Sequence, residues 1–228
     1  MLQKNQKGFA LIPLVILSTI VGIIIGLAAP HYIRQNWMIQ PQQPPAPSFQ
    51  KANDLRVDLN AALRENVALV MTAARRVYDN DIYASDAIQA LSANADDIAK
   101  IIGDIYGPSV KEEYSTLWKN QDTYFINFAK ALRENDQLQK EQAERDLDNY
   151  DEETVKFWRK HNPKLDLDNY QQLVIDRVSF IKSGIEAYSS RNIAKSYKQQ
   201  HNSYQQIGKV ADILAEAIVK QFPEKFNQ

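Results

Sequence analysis

Histidine is the residue of this chain with the widest chemical use, and three are present: His31, His161 and His201. Helical bundles that hold two iron ions use Glu-x-x-His pairs on facing helices. None of the three histidines has a glutamate three residues before it. His161 precedes an Asn-Pro pair typical of a helix end, and His201 falls inside a helical pattern, where a half-buried polar role is commoner than metal binding. The sequence therefore predicts no metal site.

A second possible metal site is the acidic stretch DLDNYDE at residues 146–152, which offers closely spaced carboxylates of the kind that calcium prefers. The stretch lacks the glycine that an EF-hand loop has at its sixth place, and the hydrophobic spacing around it is helical. We therefore interpret it as a solvated acidic face of a helix.

Residues for covalent catalysis are missing from the sequence or lack partners. The chain has no cysteine, no serine within a G-x-S-x-G turn and no glycine-rich loop to hold a phosphate. Carboxylates are plentiful, but spacing alone does not single out a pair with shifted pKa values. We predict that the protein is not an enzyme and uses no cofactor.

The charge balance bears on possible partners. The residues after position 50 hold 24 of the 27 basic residues and all 28 acidic residues, which gives this part a net charge of −4. Binding to phosphates needs a basic face, so nucleic acid is not an expected partner.

Tyrosine is the most prominent remaining feature, since ten of the 11 tyrosines lie between residues 78 and 204. Tyrosine combines apolar area with a hydroxyl group and serves both cores and interfaces. Most of these tyrosines fall on or beside apolar stripes, which favours core packing. The rest are candidates for a groove that binds a peptide, another helix or a small apolar ligand. The candidate groove residues are Tyr78, Tyr124, Tyr188, Tyr204 and His201.

The element that places all these residues in the cell is an apolar stretch, GFALIPLVILSTIVGIIIGLAA, at residues 8–29. It carries no charge and is long enough to cross a bilayer as a helix. Lys4 and Lys7 precede it, and lysines favour the cytoplasmic side. We therefore predict a cytoplasmic N-terminus at residues 1–7 and a transmembrane anchor at residues 8–30.

Two other interpretations of this stretch stay open. A signal peptide would be removed, and Gly26–Leu27–Ala28 is a usable cleavage site, although the apolar stretch is longer than usual. Lys7-Gly8-Phe9 followed by an apolar helix also resembles the leader of type IV prepilins. That family's glutamate, five residues into the mature chain, is replaced here by Pro13.

The residues behind the anchor predict a linker and then a helical domain. Residues 31–52 include QPQQPPAPS, which favours an extended, semi-rigid spacer. In residues 53–228 the apolar spacing is helical throughout. Breaks near Asp81, Asp136 and Asn192 lie about 55 residues apart, as in a repeated helical hairpin. We predict an all-α domain of six helices in three hairpin repeats, forming a bundle or short solenoid.

Four strings of the helical part carry a family resemblance: LRENVALVMTAA, IIGDIYGPSV, LWKNQDTYF and AEAIVKQFPEKF. With them the chain resembles a family of exported, membrane-anchored bacterial proteins with helical-hairpin repeats. Members have histidine within the first and third strings, where this chain has Asn66, Asn120 and Gln121. The resemblance therefore implies fold and export, without a metal site or an activity.

The expected function follows from these observations. We predict a single-pass membrane protein that presents a helical domain outside the cytoplasmic membrane and acts as a protein- or ligand-binding module. One alternative is a metal-binding or oxidoreductase-like bundle with ligands from scattered carboxylates and His201. A pilin-like subunit is the other alternative. The oligomeric state is left open.

Overall fold

The computed structural model describes residues 49–226, and this part of the chain is entirely helical. It has seven helices and no strand, which confirms the predicted all-α class; the count is one more than the six predicted, because a short helix follows the break at Phe222-Pro223. The helices are α1 (Phe49–Tyr78), α2 (Ala84–Tyr106), α3 (Pro108–Glu134), α4 (Gln137–His161), α5 (Leu167–Ser189), α6 (Ile193–Gln221) and the short α7 (Pro223–Phe226). The predicted anchor at residues 8–30 lies outside the described residues, and so does the predicted linker up to residue 48.

The start of α1 and the polarity of the helices bear on the predicted linker and anchor. Residues 49–52, predicted as linker, already belong to α1, because Lys51 and Ala52 are good helix formers and no proline interrupts them. Within residues 49–226, none of the helices combines the length and the apolar character that crossing a bilayer requires.

Helices α1, α3 and α5 end in the same way. The residues that turn the chain adopt a left-handed backbone conformation, with φ of 54° at Asn80, 53° at Asn135 and 59° at Arg191. The next amide in each case donates to the carbonyl five residues back, at 2.9, 3.0 and 2.8 Å respectively, as in a Schellman motif. The side chains of Asp136 and Asn192 then cap the following helices. The breaks predicted near residues 81, 136 and 192 are therefore helix ends of one kind, repeated along the chain.

Helix α1 is the centre of the packing. It contacts α2, α3, α5, α6 and α7, whereas α4 packs only on its neighbours α3 and α5. The apolar stripe of α1 is buried from Leu59 to Ala74, and it belongs to one continuous core to which all seven helices contribute. A polar residue on this stripe is therefore held in the middle of the bundle, which is where the candidate site begins.

Candidate functional site

The core contains a polar cluster made of one residue from each of α1, α3 and α5. Asn66, Gln121 and Arg177 are all buried, and they are separated by 55 and 56 residues, the same spacing as the helix ends. Arg177 is 1% exposed. Its Nη1 donates to Gln121 Oε1 at 2.5 Å, and its Nη2 donates to Asn66 Oδ1 at 2.7 Å. The spacing thus brings three polar side chains to one point in the fold.

The guanidinium of Arg177 is held without a direct carboxylate contact. Two amide oxygens receive its hydrogen bonds, and the ring of Trp118 lies 5.0 Å from its central carbon in a cation–π arrangement. Burial lowers the pKa of Arg177 from its ordinary value, while nearby tyrosines and Asp122 act in the opposite direction. Buried charges are normally paired. A carboxyl group that can balance the charge of Arg177 lies one residue further along the hydrogen-bond network.

This carboxyl group belongs to Asp122, which is connected to Arg177 through Asn66. Asn66 Nδ2 donates to Asp122 Oδ1 at 3.2 Å, so the Asn66 amide bridges the guanidinium and the carboxyl group. The amide orientation is fixed by Arg177, because arginine can only donate and therefore requires the oxygen of the Asn66 amide. Asp122 is 5% exposed, and its Oδ2 has no hydrogen-bond partner among the described residues. Burial raises the pKa of Asp122 to about 7, against the opposite effects of the Asn66 hydrogen bond and the Arg177 charge.

A pocket on the surface leads to Asp122. It has a volume of about 210 Å³ and lies between α2 and α3. Besides Asp122 its walls are Ile88, Leu91, Ser92, Lys119, Thr123 and Ile126. Lys119 is already paired with Asp96 at 2.7 Å. The pocket therefore has largely apolar walls and includes Asp122, one of whose carboxyl oxygens has no hydrogen-bond partner among the described residues.

The structure brings together two of the five residues predicted for a groove. The rings of Tyr78 and Tyr188 meet edge to face with centroids 6.0 Å apart. Tyr78 donates to the Ser189 carbonyl, and Tyr188 donates to the carboxylate of Asp79. This pair lies where α1 and α5 end.

The other three predicted residues lie elsewhere. Tyr124 on α3 and Tyr204 on α6 are half-buried against the core, and His201 on α6 is exposed. None of the five lines the pocket at Asp122. The groove stays a prediction.

Sequence reasoning missed the polar cluster, although a signal for it was present. The 55-residue offset aligns Val70 with Phe125 and Ile181, and the cluster residues stand four positions before each of them. A polar residue four places before a core residue lies on the same helix face. Three such residues at one repeat position indicate a shared buried site.

Neither a search of the described residues for metal-binding groups nor a comparison with known proteins identifies the function of the site. Across residues 49–226, no group of three or more histidine, aspartate or glutamate side chains is arranged to hold a metal ion. No family model, curated protein or solved structure matches the chain. The geometry around Asp122 is therefore the basis on which a function can be assigned.

Proposed function

We propose that the helical domain is a binding module for a small ligand and that the pocket at Asp122 is its ligand site. The observation that carries the proposal is the buried Asp122 Oδ2, which lacks a partner among the described residues. Leaving such an atom without a hydrogen bond costs about 1–3 kcal/mol, which a donating ligand would recover. Asn66 fixes the other carboxyl oxygen, so the acceptor is already oriented.

The lining of the pocket favours a positively charged group on a short apolar body. A carboxylate binds an ammonium group more strongly than a neutral donor, because the hydrogen bond is charge-assisted. Ile88, Leu91 and Ile126 supply apolar contact. The pocket volume of about 210 Å³ is small for a ligand site and suits a short alkylammonium ion.

Calorimetric titration of the full chain with n-butylamine tests this proposal. We expect one binding site at pH 8 and an affinity about tenfold lower at pH 6, because an Asp122 carboxyl with a pKa of about 7 is mostly protonated at the lower pH. The Asp122→Asn variant keeps an acceptor for Asn66 but loses the charge, and we expect it to lose n-butylamine binding.

The controls separate charge and shape from general effects. Glu112→Gln removes an exposed carboxylate from the same helix and should leave the titration unchanged. Butyrate, which has the opposite charge and a similar body, should not bind. Equal affinity of wild type and Asp122→Asn for n-butylamine would contradict the proposal, whereas binding of n-butanol as tight as that of n-butylamine would contradict the charge assignment.

We propose further that residues 8–30 anchor this module in a membrane, on a tether that precedes α1, with the domain outside the cytoplasm. The support is the uncharged stretch of 22 residues preceded by Lys4 and Lys7. Protease added to spheroplasts should remove the helical domain and leave a small membrane-bound fragment. Full protection of the domain would contradict this orientation, and a mature chain that starts at Phe9 would indicate prepilin-type processing.

We infer that α1–α6 form three hairpin repeats. The repeated helix ends and the repeated position of Asn66, Gln121 and Arg177 support this organisation. An experimental structure in which the hairpins fail to superpose after a shift of about 55 residues would contradict it.

A further inference from the structure

A second pocket lies on another side of the bundle, between α4 and α5. Its volume is about 380 Å³. Its acidic lining residues are Glu144, Asp148, Asp151 and Glu186, and the others are Ile175, Val178, Ser179, Lys182 and Ser183. The pocket is polar, unlike the pocket at Asp122. An acidic surface of this kind does not indicate a ligand by itself. The arrangement of its carboxyl groups decides what the pocket can bind.

Asp151 is the unusual member of the acidic set. It belongs to the stretch at residues 146–152 that we expected to be a solvated helix face, yet it is only 8% exposed. Asp148 and Glu152 are exposed, as expected. Asp151 departs from the expectation because it stands four residues after Leu147 and four before Val155, both of which are buried on the same face of α4. Its Oδ1 has no hydrogen-bond partner in the described part of the chain.

A buried carboxyl oxygen without a partner is rare in folded proteins and needs a physical reason. Asp151 is 8% exposed and is one of the residues that line the pocket, and one of its carboxyl oxygens has no hydrogen-bond partner in the described part of the chain. Burial and the charge of Asp148 raise the pKa of Asp151 to about 7, whereas Arg177 and Lys182 act in the opposite direction. A cation in the pocket would stabilise the ionised form of Asp151 against both burial and the repulsion from Asp148.

The lysines around the pocket do not supply that cation. Lys140 lies 3.1 Å from Glu186 and 3.8 Å from Glu144, and Lys182 lies 3.7 Å from Glu144. Two lysines thus balance two glutamates. Asp148 and Asp151 have no ion pair among the described residues, so the pocket keeps an excess of two negative charges when both are ionised.

The spread of these two charges favours an extended ligand over a single ion. Asp148 and Asp151 are three positions apart on a helix, which places their side chains about 5–6 Å apart. The described residues include no group of three or more carboxylates close enough together to hold one metal ion. Two separate carboxylates beside the hydroxyl groups of Ser179 and Ser183 suit two ammonium groups joined by a short chain.

We propose that the pocket between α4 and α5 is a second binding site, which takes a linear aliphatic diamine with one ammonium group at Asp151 and the other at Asp148. The inner ammonium group donates to the carboxyl group of Asp151, which lines the pocket. The outer one pairs with the exposed Asp148. This site is independent of the proposal for Asp122, because it is lined by different helices.

Calorimetric titration of the full chain with putrescine at low ionic strength tests the second site. We expect binding in the wild type, an affinity at least tenfold lower in Asp151→Asn, and a several-fold loss in Asp148→Asn. The Asp148 side chain is exposed, so that variant should fold even where Asp151→Asn does not. Glu152→Gln makes the same change in net charge outside the pocket and should leave the affinity unchanged.

Three results would overturn the second site. The first is an absence of putrescine binding in the wild type. The second is an equal loss of affinity in Glu152→Gln and Asp151→Asn, which would mean attraction by the overall charge. The third is displacement of putrescine by magnesium at equal concentration, which would mean a site for a point charge and not for a diamine.

Discussion

Replacing Arg177 with alanine is expected to lower the free energy of unfolding by about 3–5 kcal/mol, because two buried acceptors each lose a donor at a cost of about 1–3 kcal/mol and a cavity remains. The substitution leaves Gln121 Oε1 and Asn66 Oδ1 without their donor and opens a cavity beside Trp118. For a domain of this size the melting temperature should fall by roughly 6–20 °C, at about 2–4 °C per kcal/mol. Urea and thermal unfolding of the full chain measure the change.

The control for this experiment is an arginine on the surface. Arg159 is exposed on α4, and Arg159→Ala should change stability by less than about 0.5 kcal/mol. A double-mutant cycle of Arg177→Met and Gln121→Leu isolates the hydrogen bond between the two side chains and should give a coupling energy of about 1.5–3 kcal/mol. A loss below about 1 kcal/mol in Arg177→Ala would contradict the buried cluster.

Stability is expected to fall as the pH rises from about 4 to about 8. The pKa of Asp122 is about 7 in the folded chain and about 3.9 when unfolded, so the folded state binds this proton more tightly. The stabilisation by the proton is complete below the unfolded pKa and is lost as the pH passes through the folded pKa. Three pKa units correspond to up to about 4 kcal/mol. Asp151, whose pKa is also raised to about 7, acts in the same direction.

Urea unfolding at pH 5 and at pH 8 measures this dependence. The lowered pKa values of Asp96, Glu113 and Asp212 affect stability at lower pH, where these carboxylates become protonated, so they do not hide the effect. Asp122→Asn should lessen the fall, and Asp122→Asn combined with Asp151→Asn should remove most of it. Higher stability at pH 8 than at pH 5, or an unchanged slope in Asp122→Asn, would contradict the raised pKa.

The helix ends could be predicted from the sequence because their causes are local. Asn80 and Asn135 tolerate a left-handed backbone better than most residues, and Asp136 and Asn192 are good helix caps. These preferences act within a few residues, so the breaks were visible without knowledge of the fold.

The candidate site depends on contacts that the local pattern does not contain. Asn66 and Arg177 are 111 residues apart and meet only because α1 and α5 pack together in the core. The apolar stripes of α1 and α5 predict contacts between apolar residues and do not indicate how the polar residues on the same stripes pair. The burial of Asp151 has a related cause: its acidic neighbours predict exposure to solvent, whereas the rotation of α4 turns it toward the core with Leu147.

The carboxyl group of Asp122 itself gives the most direct test of the binding proposal. Its Cγ chemical shift, followed by NMR from pH 4 to pH 9 with and without saturating n-butylamine, reports both burial and ligand contact. We predict a midpoint near pH 7 for the free protein and a midpoint at least one pH unit lower with the amine bound, because an ammonium partner favours the ionised form. A midpoint near pH 7 that n-butylamine does not move would contradict the ligand site, and a midpoint near pH 4 in both samples would contradict the buried carboxyl group on which it depends.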